Sequence, residues 1–292
     1  MNKVIVVGGG AAGMMAAISA ADSGAEVILI EKNEKLGKKV YITGKGRCNI
    51  TNESDVENLL KNVRSNPKFL YSAFYTFDSY RMMDFLEGEG LKLKTERGNR
   101  VFPESDKSSD VIKTLKKALE KRKVKIVLNT KVLKIEIKDG ICHGVIVQSG
   151  DKSGSYTADK VIVATGGCSY QSTGSTGDGY RFAKDADIKV TKCYPSLVPF
   201  NIGSDIPKRL QGLSLRNVKV TLSDKGKVLY EELGEMLFTH FGVSGPLVLS
   251  ASTLASGKDV SQMELSIDLK PALSKEQLAT RKNESYVRLL EK

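Results

Sequence analysis

The sequence predicts an α/β protein, with a Rossmann-like nucleotide-binding domain that carries a β-meander and an inserted β-rich domain after it. Three observations predict this. Val4–Glu31 reads as strand, glycine turn, helix and strand. An alternating stretch at 131–157 precedes an apolar run that ends in Ala164-Thr165-Gly166-Gly167. From about Cys193 the chain changes to short β-rich runs punctuated by Pro195, Pro199 and Pro207.

The first unit is the most explicit. Val4-Ile5-Val6-Val7 is a continuous apolar run, the mark of a buried strand. Gly8, Gly10 and Gly13 follow in G-x-G-x-x-G spacing, and a helix is expected from about Ala11 to Ser23, ended by Gly24. A second apolar run, Val27–Ile30, ends in Glu31. Gly8 permits a tight turn, and Gly10 lets backbone approach a pyrophosphate. Gly13 and Ala17 let the helix lie close on the sheet. The helix N-terminus offers free N–H groups to phosphate, and Glu31 stands where a carboxylate accepts from a ribose diol. Strand, turn, helix and acid together predict a dinucleotide site.

Residues 32–52 read as a loop rich in glycine and lysine. Lys32, Lys38, Lys39, Lys45 and Arg47 place cations beside the expected pyrophosphate. Cys48 sits among cations that lower a thiol pKa, yet with no neighbouring base it reads as structural. Residues 67–87 read as one helix whose aromatic stripe faces the core. Residues 91–103 read as a hairpin about Gly98-Asn99. Ser108-Ser109-Asp110 caps a helix over 110–122 that buries Val111, Ile112, Leu115, Ala118 and Leu119. Lys125–Leu128 is a parallel strand, and the alternation after it turns at Asp139-Gly140. A nicotinamide dehydrogenase would continue its strand–helix alternation here. A meander followed by a strand ending in A-T-G is instead the flavoprotein arrangement, and it narrows the cofactor to FAD. Residues 171–188 begin as a loop and become helical near Gly179–Asp187. No second G-x-G-x-x-G follows a strand, so NAD(P)H is expected only as a transient partner.

Beyond Cys193, runs at 196–201, 214–222 and 228–232 read as a small antiparallel sheet or barrel. Residues 234–252 start loop-like and become helical after Gly245-Pro246. His240 reads as structural, with a proton-donating role as the alternative. A strand at 263–269 follows, and the S-x-x-Q box at Ser274–Gln277 opens a helix towards the chain end.

Composition bounds the partners. Lysine and arginine exceed aspartate and glutamate by 45 to 34, a formal charge of +11. The lysines are spread along the chain, which favours a solvated exterior over a nucleic-acid partner. Four scattered cysteines without a C-x-x-C, and two histidines, leave neither a redox pair nor a metal-site pattern. No apolar run is long enough to span a membrane. The glycine-spaced N-terminus is not a signal peptide, so the cytoplasm is the expected location.

The motifs G-G-G-A-A-G at 8–13, E-K at 31–32, G-K-G-R-C-N-I-T-N at 44–52, A-T-G-G-C-S-Y at 164–170, T-G-S-T-G-D-G-Y at 173–180 and G-E-M-L-F-T-H-F-G-V-S-G-P at 234–246 resemble one bacterial family. It is the FAD-dependent flavoproteins called HI0933-like, aminoacetone-oxidase-like or bile-acid-dehydroreductase-like. The resemblance covers residues 1–273. It implies an FAD-binding domain at 1–190, an inserted β-barrel-like domain at 191–270 and the start of a helical segment at 271–292. It places the pyrophosphate over Gly8, Gly10, Ala11, Ala12 and Gly13, and the ribose on Glu31. Further FAD contacts would come from Lys32, Lys38 and the loop Arg47, Cys48 and Asn49. Adenine would meet the backbone at Val132, with Thr165, Gly166 and Gly167 against the cofactor. The implied activity is hydride transfer between flavin and a small organic substrate. Family members continue past the point where this sequence stops and return to the FAD domain. Two alternatives stand beside the first reading: a tRNA-modifying flavoprotein, suggested by the +11 charge, and a truncated FAD-binding fragment without activity, suggested by that early stop.

Overall fold

A computed structural model describes residues 2–274 and 276–280. It divides into two units, one reaching to Thr191 and the other starting at Lys192.

The first unit opens as the sequence predicts, with β1 (Lys3–Val7), α1 (Ala11–Asp22) and β2 (Glu26–Ile30). The next stretch is less loop-like than its composition suggests. It holds α2 (Lys38–Ile42) and β3 (Thr51–Asn52), followed by α3 (Val56–Lys61). The helix expected over 67–87 is broken, and its aromatic stripe does not face the core: Phe69, Tyr71, Tyr75, Phe77 and Tyr80 are exposed. A short 3-10 turn at Pro67–Leu70 leads into α4 (Tyr71–Thr76), and α5 (Ser79–Gly88) starts afresh. The break falls at Asp78, whose carboxylate accepts from the Arg81 backbone N–H at 2.8 Å as an N-cap. The hairpin β4 (Leu93–Glu96) and β5 (Arg100–Pro103) lies where it was expected. The helix α6 (Ser108–Lys121) starts earlier than expected: Ser108, Ser109 and Asp110 form its first turn and do not cap it, and Ser108 Oγ donates to the Tyr41 carbonyl at 2.7 Å. β6 (Lys125–Val127) is followed by the meander β7 (Lys131–Lys138), β8 (Ile141–Ser149) and β9 (Lys152–Thr157), then by β10 (Lys160–Val163) and α7 (Asp178–Asp185).

The parallel sheet runs in the order β10-β1-β2-β6. Alternation along its strands sorts the core into two layers. Val4, Val6, Val27 and Leu29 point to one face and pack with Met14 and Ala17 of α1 and Leu115, Ala118 and Leu119 of α6. Ile5, Val7 and Ile30 point to the other and pack with Val132, Val145 and Val147 of the meander and Phe182 of α7. Each fully buried aliphatic side chain contributes about 1.5–3 kcal/mol relative to exposure. The meander thus covers the face that a further crossover helix would otherwise cover.

The second unit holds β11 (Phe200–Asn201), α8 (Ile206–Arg209), β12 (Ser214–Asp224), β13 (Lys227–Phe238), β14 (Gly242–Ser244), α9 (Pro246–Ala255) and β15 (Met263–Asp268). The strands form an antiparallel sheet in the order β11-β14-β13-β12-β15. Of the sheet or barrel that the residue pattern allowed, the described strands form the sheet, with β11 and β15 at its ends. Val218, Val220 and Leu222 alternate onto the face that α9 covers with Leu247, Val248 and Ala251. Residues 234–238 continue β13 rather than forming a loop. Gly234 fits there because Leu247 fills the space, 3.0 Å from where a Cβ would stand. His240 lies in the turn after β13, edge-to-face with Phe241 at 4.9 Å. The capping box at Ser274 and Gln277 closes in both directions, at 3.2 and 2.9 Å. The expected helix after residue 280 lies outside the described residues.

Candidate functional site

β1 and β2 end side by side, and β10 ends on the other side of β1. The chain leaves β1 towards β2 on one flank and comes back on β10 at the other. In an open parallel sheet the crevice beyond the strand ends at such a point is the natural ligand site. A cavity of about 340 Å³ lies there. Gly8, Gly10, Ala11 and Ala12 form its floor, with Glu31, Lys32 and Lys38 on one side, Val132 from the meander, and Thr165 and Gly166 after β10.

The three fingerprint glycines differ in what demands them. Gly8 has φ +107°, and a Cβ there would stand 2.6 Å from the Ala164 carbonyl oxygen. At Gly13 a Cβ would fall 1.7 Å from the Gly8 carbonyl oxygen, so α1 crosses directly over the turn. Gly10 is different, since a Cβ there would meet no protein atom within 4 Å. The protein's own packing explains Gly8 and Gly13. The protein's own packing makes no such demand at Gly10, which opens on the cavity. No side chain caps the first turn of α1, so its N–H groups, which have no partner within the helix, are left for a ligand. The donor set is therefore amides and a positive dipole end, which suits a pyrophosphate.

Glu31 is buried, and its carboxylate is held from inside the protein. Oε2 accepts from the Gly9 N–H at 2.6 Å, and Oε1 accepts from the N–H and Nδ2 of Asn33 at 2.8 and 2.6 Å. These bonds fix the acid against the glycine turn and leave lone pairs for hydroxyl donors. Lys32 does not reach into the cavity as a free cation. Its Nζ donates to Asp178 Oδ2 and to Thr176 Oγ1, both at 2.7 Å. Burial pushes the Asp178 carboxyl up, but the bonds from Lys32 and Thr176 outweigh it and hold the pKa below the ordinary value. Lys38 also lines the cavity, and its Nζ lies 3.2 Å from Glu34.

The loop Arg47, Cys48 and Asn49 departs from its expected place: none of the three lines the cavity. The physical reason lies in the partners of Arg47. Its guanidinium stacks on Phe102 at 4.2 Å, donates from Nε to Asp106 at 2.7 Å, and donates to Glu96. Lys94 completes the cluster at 2.6 Å from Asp106. With Arg47 so committed, Cys48 feels burial rather than charge, and its thiol is pushed up to about 11. That overturns the expectation of a lowered pKa. Gly167 also lies off the cavity wall, and its carbonyl accepts from the Gly177 N–H at 3.1 Å. Sequence reasoning missed Asn33, Thr176 and Asp178. The signal was present in T-G-S-T-G-D-G-Y, whose Asp178 was quoted only as part of a motif.

A family model described as the HI0933-like protein Rossmann domain matches residues 2–263. A 3-dehydro-bile acid delta(4,6)-reductase of Clostridium scindens is 32% identical over 282 residues, 95% of this chain and 67% of that protein. A ribosomal RNA dihydrouridine synthase of Escherichia coli is 31% identical over 251 residues, 85% of this chain and 60% of that protein. The open conformation of a flavocytochrome c3 fumarate reductase shares the fold, with a TM-score of 0.51 at 24% identity over 74% of this chain and 47% of that one. The chain spans about two thirds of the length of these curated relatives, or somewhat less.

Proposed function

The chain belongs to the HI0933-like family of Rossmann-domain proteins, and from that premise we propose that it is an FAD-dependent oxidoreductase acting on a small organic substrate. The glycine turn carries this reading: Gly8, Gly10, Ala11 and Ala12 line a cavity at the strand ends, and no side chain caps the first turn of α1. The pyrophosphate lies over the amides of Gly8–Ala12, where the dipole of α1 offsets its charge. The ribose hydroxyls donate to Glu31, the adenine sits by Val132, and Thr165 and Gly166 line the wall beside the cofactor. Bound FAD supplies the two-electron redox chemistry, while the protein orients it and shields it from water. Electrons come from a donor that visits and leaves, NADH or NADPH.

The test is titration of the purified chain with FAD, followed by flavin fluorescence and absorbance, then anaerobic addition of NADH or NADPH. Saturable binding with bleaching of the flavin band is expected. Flavin that stays free at every protein concentration would overturn the reading.

A second reading has its own support. One relative is a ribosomal RNA dihydrouridine synthase, and the chain carries a formal charge of +11. Under this reading the reduced flavin serves a base in RNA, and RNA binding measured across a salt series separates the two.

A further inference from the structure

One part of the cavity wall is built by the segment 173–178, between the glycine-rich stretch after β10 and the start of α7. Thr173, Gly174, Ser175 and Asp178 all line the cavity. This segment is not part of the parallel sheet. It is tied to the stretch after β10 by the Gly177 N–H, which donates to the Gly167 carbonyl at 3.1 Å, and side chains from directly after β2 fasten it further. Lys32 Nζ bonds both Thr176 Oγ1 and Asp178 Oδ2 at 2.7 Å, and Thr176 Oγ1 in turn donates to Asp178 at 3.1 Å. Asn33 Nδ2 donates to the Thr173 carbonyl at 3.2 Å while also holding Glu31. The fit is close at Gly174, where a Cβ would stand 2.6 Å from Asn33 Nδ2.

We propose that Lys32, Asn33, Thr176 and Asp178 form a clasp that fixes the 173–178 segment as part of the wall of the dinucleotide cavity and so slows escape of the cofactor. The proposal rests on the reading of the cavity as an FAD site. It assigns Lys32 and Asp178 as positioning residues. The lysine neutralises an acid that would otherwise repel a pyrophosphate, and the acid spends the lysine on the wall. The geometry favours this over direct phosphate contact by Lys32, because two of its three N–H donors are already committed at 2.7 Å. The pair is worth more than a surface ion pair, since its side chains are only 25% and 17% exposed and the bonds are charge-assisted.

Two readouts test it, and one needs no cofactor. Hydrogen exchange across residues 173–178 is measured on the full chain without FAD, for wild type, Asp178→Asn and Thr176→Val. FAD affinity and dissociation are then followed by flavin fluorescence. In Asp178→Asn, exchange in 173–178 should quicken and FAD should leave about tenfold faster, as expected for a lost charge-assisted bond. Thr176→Val, which keeps both charges, should move both in the same direction by less. Exchange in β1 and β2 should not change, which separates a loosened wall from general unfolding. Unchanged exchange in both variants overturns the clasp, as does faster exchange with unaltered FAD release. Wild type that binds no FAD overturns the cofactor reading and cofactor retention with it, while the exchange result still decides whether the wall is clasped.

Discussion

Gly10 and Gly13 share a motif but answer to different masters. A methyl at Gly10 enters open cavity, whereas one at Gly13 strikes the Gly8 carbonyl at 1.7 Å. Gly10→Ala should therefore leave the melting temperature nearly unchanged and weaken FAD about tenfold, the cost of holding a phosphate off its amides by roughly one hydrogen bond. Gly13→Ala should destabilise the fold by about 1–3 kcal/mol, the usual range for overpacking. Thermal unfolding with and without FAD distinguishes them, and a Gly10→Ala protein that melts early sinks the distinction. Spacing alone made all three glycines legible, but not their division of labour. Arg47 was legible only as a cation. Its acids, Glu96 and Asp106, lie 49 and 59 residues away, so nothing local in the sequence tells that it turns from the cavity to them. For the same reason the cations beside Cys48 suggested a lowered thiol pKa, whereas burial raises it; its structural reading stands.

At the scale of elements, pattern succeeded where one period held and failed where a cap intervened. Alternation about Asp139-Gly140 gave the meander, and the turn has the left-handed pair it needs, φ 52° and 73°. The apolar spacing over 67–87 continues through a break, because periodicity counts faces and ignores an N-cap. Asp78 ends one helix's reach and starts the next. Asp78→Ala should cost about 1 kcal/mol, and Asp78→Ser should recover most of it. Urea unfolding of the full chain measures both, and equal stability of the two variants would contradict the capping role. In the second unit, Gly234 disguised a continuing strand as a loop, since only the packing of Leu247 shows why a glycine belongs there.

At the scale of the whole molecule, the charge of +11 was read as a solvated exterior, and the presence of an RNA-modifying relative gives it a second meaning. Charge spread along a sequence says nothing of how it gathers on a surface, which is why composition did not decide between them. If RNA is the substrate, affinity should fall about a thousandfold or more between about 50 and 200 mM salt, as for some six to ten phosphate contacts. A small-molecule enzyme should show weak RNA binding, and FAD affinity far less sensitive to salt. The bonds from Gly9 and Asn33 to Glu31 carry a last consequence. They are made by the protein to itself, so the cradle is preorganised: the entropy of ordering it is met when the chain folds and not when the cofactor arrives. Such a receptor can be emptied and refilled, and flavin stripped from it should return to the same site without a cycle of unfolding.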